Sequence, residues 1–390
     1  MKQTVKREFL NILTTIVVTF VLYFFMLPPL NPMAPEFWTF LVFIGAVYFI
    51  TKFFSSLKKI IFQATGTTSN NEIYKMTNKS KKVKIVILSI VGVVVAIVAI
   101  NIINSPLFNA SAYQNRITIN EDGNFVDDVA EVDFNAIPLL DKDSSQKLGD
   151  RVMGEMPDLV SQFTVSNMYT QINYNNDIVR VTPLEYADMI KYFTNRSDGV
   201  KGYIIVNSVS GKSELVQLES GMKYMPSAIL FENLERKLRF SYPTAIFGDE
   251  SFEIDDNGSP YWIIPTLKYS GIGLREEVTG VVIFDPITGN SQRYSIDEIP
   301  TWVDHVYPSA LIIEQINDWG KYTNGFINSM FGQKGVVATS DGYNYTVMNN
   351  DVYLYTGITS VSSDQSNIGF ILCNMRTKET NFYSASGAEE

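Results

Sequence analysis

The sequence predicts an α+β protein in two parts: three N-terminal transmembrane helices, then an exported domain of two to three helix-plus-antiparallel-sheet repeats. Three observations carry this. Residues 1–104 contain three long apolar runs, and one glycine–apolar–Asx–turn pattern recurs three times beyond residue 200. Charge divides at the same boundary, with 11 Lys+Arg against 3 Asp+Glu before residue 105 and 20 against 38 after it. The expected domains are a membrane part at 1–104 and three α+β regions at 105–225, 226–300 and 301–390, the last divergent.

The first run, Phe9–Leu27, follows Lys2, Lys6 and Arg7 and carries no charge. A link crowded with Pro28, Pro29, Pro32 and Pro35 leads to the second run, Phe37–Phe54, broken only by Lys52, whose long stem can reach the interface. Trp38 and Tyr48 suit interface positions. The third run, Ile85–Ile103, has 19 residues, enough to cross a bilayer at about 20 residues per span. Spans are expected at about 9–28, 37–54 and 85–103. The intervening segment 55–84 reads as a basic loop, with Lys58, Lys59, Lys75, Lys79, Lys81, Lys82 and Lys84 against Glu72.

The Pro-rich link has neither Lys nor Arg, so the positive-inside rule places the N-terminus and the basic loop in the cytoplasm and residues 105–390 outside. Ala110-Ser111-Ala112 reads alternatively as a signal-type cleavage site. No ionisable residue lies deep in a span, so the helices read as anchors or partner contacts rather than a transport path.

In the acidic part, alternation at Arg116–Ile119 followed by Asn120-Glu121-Asp122-Gly123 suggests a strand and a hairpin-type turn. Asn120, Asp122, Asn124, Asp128 and Glu131 imitate a calcium loop, but glycine sits at position four rather than six, which favours a plain turn. Asp143–Phe163 has helical spacing in Leu148, Val152, Met156 and Val160, interrupted at Pro157. Thr182-Pro183-Leu184-Glu185 matches a capping box with proline at the first helical position, predicting a helix to about Phe193. Two more helices are expected, at Pro226–Phe240 and Pro308–Tyr322. Asp255-Asp256-Asn257-Gly258 reads as a turn between strands Phe252–Ile254 and Tyr261–Leu267.

The internal pattern begins at Gly202, Gly280 and Gly369. Each glycine precedes four apolar residues, an Asx (Asn207, Asp285, Asn374) and a Ser or Thr three residues later (Ser210, Thr288, Thr377). An apolar tetrad is a buried strand, and the Asx side chain closes a turn onto a half-exposed return strand. Three matches in register argue for duplicated units. The second copy, Val281–Phe284 leading to Asp285-Pro286-Ile287-Thr288-Gly289, resembles the final strand of PepSY-type domains, with the likeness covering about 226–296 and more loosely 308–386. The resemblance implies small exported α+β modules, often membrane-tethered, that bind or inhibit partners rather than catalyse. It transfers no catalytic residue. The whole chain is also similar to membrane proteins of Gram-positive bacteria.

Composition excludes several functions. A net charge of −18 after residue 104 opposes nucleic-acid binding. Cys373 is the only cysteine and His305 the only histidine, which removes intrachain disulfides and every two-His metal motif. No cofactor is expected, and Gly211-Lys212-Ser213 lacks the earlier glycine of a P-loop. Cys373 lies in an apolar strand and reads as a buried, inert thiol. His305 beside Asp304 offers an acid–base pair for an envelope hydrolase, or a histidine satisfied locally. Trp302, Tyr307, Trp319, Tyr322, Phe326 and Phe331 are read as an aromatic groove for a protein, peptide or glycan, or as a helix packed on a sheet. The function expected is a membrane-anchored, non-catalytic interaction or regulatory module of a bacterial envelope; a scaffold subunit of a larger membrane complex is the other alternative.

Overall fold

The computed structural model describes residues 2–63, 73–129, 138, 140–361 and 367–385, and side chains outside 1–7 and 54–87. It divides into two compact units. The first is Met1–Ser105 with two short loops, Tyr242–Ala245 and Tyr269–Leu274; the second is the rest.

In the first unit, α1 (Lys2–Met26), α2 (Pro35–Gln63) and α3 (Ile73–Asn104) are long helices. Among the described residues two are apolar over membrane-spanning length, Glu8–Met26 and Pro35–Phe53. The expected third span lies in α3, whose described side chains begin at Leu88; there Leu88–Asn104 meets the same test together with α4 (Pro106–Gln114), across a break at Ser105. The expected basic loop at 55–84 is corrected, because α2 runs on to Gln63 and α3 begins at Ile73, leaving only 64–72 outside the described residues. Lysine is a good helix former, so charge ends the apolar stretch without ending the helix. Within α1, Thr15 returns its hydroxyl to the Asn11 carbonyl at 2.8 Å, satisfying it without a partner helix.

The two short loops close onto these helices, which no sequence pattern announces. The Leu30 N–H donates to the Pro243 carbonyl at 2.7 Å, and the Asn31 amide reaches Thr244 O at 3.2 Å. Asn101 makes a reciprocal pair with the Ile272 backbone, at 3.1 and 2.8 Å. The Asn101 side chain thus finds an acceptor and a donor in the backbone of one residue.

The second unit contains three antiparallel sheets of one plan. Before them come β1 (Ile119–Asn120), α5 (Phe125–Asp128), α6 (Lys142–Gly154) and α7 (Pro157–Val160). The first sheet has β2 (Phe163–Val165) and β3 (Thr170–Tyr174) side by side on β4 (Asp177–Tyr186); after α8 (Met189–Asn195), β5 (Val200–Asn207) and β6 (Ser213–Met222) complete it. Following α9 (Leu234–Ser241), the second has β7 (Ile246–Phe247) and β8 (Ser251–Ile254) on β9 (Pro260–Tyr269), then β10 (Glu276–Phe284) and β11 (Ser291–Ser295). Following α10 (Ser309–Lys321) and α11 (Gly325–Ile327), the third has β12 (Val337–Thr339) and β13 (Asn344–Met348) on β14 (Asp351–Ser360), then β15 (Asn367–Asn374) and β16 (Thr380–Ser384), with β1 added parallel to β16.

The likeness extends to single bonds. Where the long strand passes from one short partner to the other, the carbonyls of Pro183, Pro265 and Gly357 accept from the N–H of Ser166, Gly248 and Ser340. A residue without an N–H is tolerated at that gap because no partner carbonyl faces it. At the far turn, Asn207, Asp285 and Asn374 each accept two backbone N–H groups through Oδ1. Gly211, Gly289 and Lys378 follow in left-handed conformation, with φ of 72°, 77° and 66°.

These pairings correct four expectations. Thr182–Glu185 belongs to β4, paired Thr182↔Ile204 and Pro183↔Tyr203, and the helix begins only after its cap Asp188. Buried pairing on both sides of β4 outweighs a four-residue cap signal. Asn120–Gly123 is not a hairpin turn, since β1 pairs with the distant β16. Pro226–Phe240 is a 3₁₀ turn, Leu230–Glu232, followed by α9; Leu234 and Leu238 are buried there, whereas Phe231 is exposed. Asp143–Phe163 holds α6 and α7, with Ser145, Gly149 and Met153 as the buried face rather than Leu148, Val152, Met156 and Val160. As expected, Asp255–Gly258 joins two strands and Pro308–Tyr322 holds a helix, α10, which buries Leu311, Ile312 and Ile316. These three share one core with Val281 and Ile283 of β10 and with Leu354, Ile358, Ile371 and Cys373 of the third sheet.

Candidate functional site

The three sheets present equivalent hairpins. The β3–β4 link is Asn175-Asn176, with φ of 53° and 67°; the β13–β14 link is Asn349-Asn350, with φ of 52° and 67°. Two-residue links with both φ positive are type I′ turns, and asparagine is the side-chain-bearing residue that best tolerates them. The β8–β9 link is longer and is closed by Asp255, whose Oδ1 accepts from Asn257 and Ser259 N–H. Asn175, Asn176, Asp256, Asn349 and Asn350 from these three tips line a single cavity of about 420 Å³.

The floor is made by Asp304, from the segment between the second and third sheets. It is 1% exposed, and its Oδ2 accepts the Asn173 N–H at 2.7 Å. Its own N–H and that of His305 donate to the two oxygens of fully buried Glu253, at 2.8 and 3.0 Å, which fixes the segment to β8. Burial, with the Glu253 charge beside it, pushes the Asp304 carboxyl well above the usual range. Asn173 donates its side-chain amide to the Asn350 carbonyl at 3.1 Å, tying the first tip to the third, while its Oδ1 is buried without a hydrogen bond.

One wall is an ion pair. Arg376 holds Asp351 through two bonds of 2.8 and 2.7 Å, and the amide of Asn374, whose Oδ1 closes the β15–β16 turn, donates to the same carboxylate at 2.8 Å. Asp351 raises the Arg376 pKa, so the guanidinium stays charged and compensated. Trp302 supplies the aromatic surface, braced by Tyr261 at 5.1 Å between ring centroids.

His305 belongs to a different cavity, of about 350 Å³, with Gln171, Tyr345 and Glu250. Its Nε2 lies 2.7 Å from the Gln171 carbonyl, and its ring meets Tyr345 edge-on. Asp304 and His305 therefore line separate cavities, no hydrogen bond joins their side chains, and the acid–base pair of the hydrolase alternative is not assembled.

The six aromatic residues read as a groove are also dispersed. Trp302 is in the polar cavity, Tyr307 is buried under Lys378, Trp319 faces Phe382 and Tyr322 meets Tyr113. Phe326 is half-buried and Phe331 is 83% exposed. Cys373 is fully buried, its thiol pushed up to about 11 by burial. Among the described residues no group of three His, Cys, Asp or Glu is placed to hold a metal; Glu131 of the calcium-like spacing lies outside them.

Sequence reasoning missed Asn173, Glu253, the Asp351–Arg376 pair and both asparagine turns. One signal was present: Asn-Asn-Asp recurs at 175–177 and 349–351, each after an apolar-alternating run. No family model, curated protein or solved structure matches the chain.

Proposed function

We propose that this protein is a membrane-anchored, extracytoplasmic and non-catalytic binding module, built from three PepSY-like duplicated units, with its ligand site where the three hairpin tips meet. The observation that carries the reading is the polar cavity itself. The exposed amides of Asn175, Asn176, Asn349 and Asn350 converge on it from two tips, beside Asp256 from the third and the indole of Trp302. A cavity of ligand size with a few convergent polar groups and one aromatic surface is a binding-site arrangement. The shared strand plan, the three carbonyl-bonded gaps and the three Asx turns support duplication, and the basic-to-acidic division supports the orientation. In this reading three helices anchor the chain, the third formed by α3.

Two measurements test it. Exposed Asp341, replaced by cysteine, should react in intact cells with a maleimide that cannot cross membranes, whereas buried Cys373 stays silent; labelling only after lysis would overturn the orientation. A thermal-shift screen of the full chain against polar small molecules should yield stabilisers whose effect disappears in Asn176→Gly with Asn350→Gly. These substitutions keep the left-handed turns and remove only the side-chain amides. A screen without such stabilisers would make the cavity structural and overturn the binding role.

A further inference from the structure

We infer that the cavity at the three hairpin tips takes an uncharged saccharide, with Trp302 as the ring-stacking surface and the turn asparagines as hydroxyl partners. The inference rests on the binding-module reading and names its ligand class. Three properties of the lining lead there.

The first is charge. Arg376 is held by both oxygens of Asp351, and Asp304 is almost wholly buried with one oxygen fixed by the Asn173 N–H. An anion would find no uncompensated cation. A metal ion would find no triad of acidic, His or Cys ligands among the described residues. Asp256 stands exposed at the rim and adds one negative charge at most.

The second is the balance of donors and acceptors. Each asparagine amide both donates and accepts, as does each sugar hydroxyl, and an amide meets vicinal hydroxyls with its two ends. A lipid or apolar peptide side chain would instead leave these amides unsatisfied.

The third is the single aromatic side chain. Among the described residues Trp302 is the only aromatic one in the lining, and Tyr261 braces its ring from the second sheet. A braced indole in an otherwise hydrophilic cavity offers one apolar face, which suits the C–H face of a pyranose and fixes its orientation. The volume of about 420 Å³ falls within the usual range for small-molecule sites, about 300–1,000 Å³.

The test uses the full chain in lipid nanodiscs, since alkyl-glycoside detergents would compete. Three probes are titrated calorimetrically: an N-acetylglucosamine trisaccharide, maltotriose, and the uncharged dipeptide N-acetyl-alanyl-alaninamide. At least one trisaccharide should bind saturably, weaken at least tenfold in Asn176→Gly and in Asn350→Gly, and be lost in Trp302→Leu, with each variant's melting curve confirming the fold. Failure of both trisaccharides, or binding indifferent to the two glycine variants, overturns the saccharide assignment. If the dipeptide binds instead and is sensitive to Asn350→Gly, the saccharide is overturned while the binding module stands. If no probe binds and the thermal-shift screen is also empty, both fall together.

Discussion

Arg116 carries more of the second unit than its position just after the apolar runs suggests. Its side chain is fully buried, with Nη1 on Glu314 at 2.6 Å and Asp318 at 2.7 Å and Nη2 on the Glu276 carbonyl at 2.9 Å. Its own carbonyl accepts from Lys378 at 2.6 Å, so one residue joins α10, β10 and the third Asx turn. Arg116→Ala leaves these partners uncompensated and should cost about 3–5 kcal/mol, read from urea unfolding. Asp304 makes a prediction of opposite sign. Its carboxyl is held well above the ordinary range by burial and then by the Glu253 charge. The native state therefore binds the proton more tightly than the unfolded chain, in which aspartate titrates at about 3.9. That stabilisation is complete below the unfolded value and is lost as pH rises through the folded one. Asp304→Asn, neutral throughout and still able to accept from Asn173, should be more stable than wild type at pH 8, with the difference vanishing near pH 4. A pH-independent difference in melting temperature would show that Asp304 is not the titrating group.

The hairpin between Asx turn and glycine is the element on which the three sheets agree most closely, and its glycines are set by space. A Cβ at Gly280 would lie 2.1 Å from the Tyr294 carbonyl oxygen, and at Gly369 2.3 Å from that of Tyr383. Gly280→Ala and Gly369→Ala should therefore each destabilise by more than the roughly 1–3 kcal/mol typical of core overpacking, because the obstacle is backbone of the paired strand. Unchanged melting temperatures would mean that the strands separate freely at that point. Gln333, exposed at the end of the Asn328–Gly332 turn with φ of 47°, should respond in the other direction: Gln333→Gly removes a left-handed side-chain conformation and should stabilise by about 0.5–1 kcal/mol. This element was legible in the sequence because glycine, tetrad and Asx are local and keep register. The helix expected at Thr182 failed for the converse reason: its cap signal is also local, but Val181, Thr182 and Leu184 are buried in a sheet where they pair with Thr170, Val165, Ile204 and Ile205, all outside that local window. The cavity was the least legible part. Its residues come from five separate segments between Asn173 and Arg376, and only the repeated Asn-Asn-Asp gave a local sign of two of them.

At the scale of the whole molecule, the second unit is bound together by a core that crosses its sheets. Ile263, Val281 and Ile283 of the second sheet share it with Ile312 and Ile316 of α10 and with Leu354, Ile371 and Cys373 of the third. Neither sheet can expose its inner face without stripping α10 from the other, so the two should unfold as one cooperative step. The chain carries its own reporters. Trp262, Trp302 and Trp319 lie in the second unit, leaving Trp38 in the first to be replaced by phenylalanine. Cys373 is fully buried in β15, with a thiol held near 11, so it should resist thiol reagents until the third sheet opens. In urea, tryptophan fluorescence and Cys373 labelling should share one midpoint. Ile312→Ala should lower both by the same amount, corresponding to about 2–5 kcal/mol for a fully buried aliphatic side chain. Labelling that precedes the fluorescence change would mean that the third sheet opens alone. The cavity would then be framed on one side by an element that detaches, because Asn349, Asn350, Asp351 and Arg376 all belong to that sheet or its turns. A single midpoint instead makes the second and third tips one rigid frame, and ligand binding there would raise the stability of both sheets together.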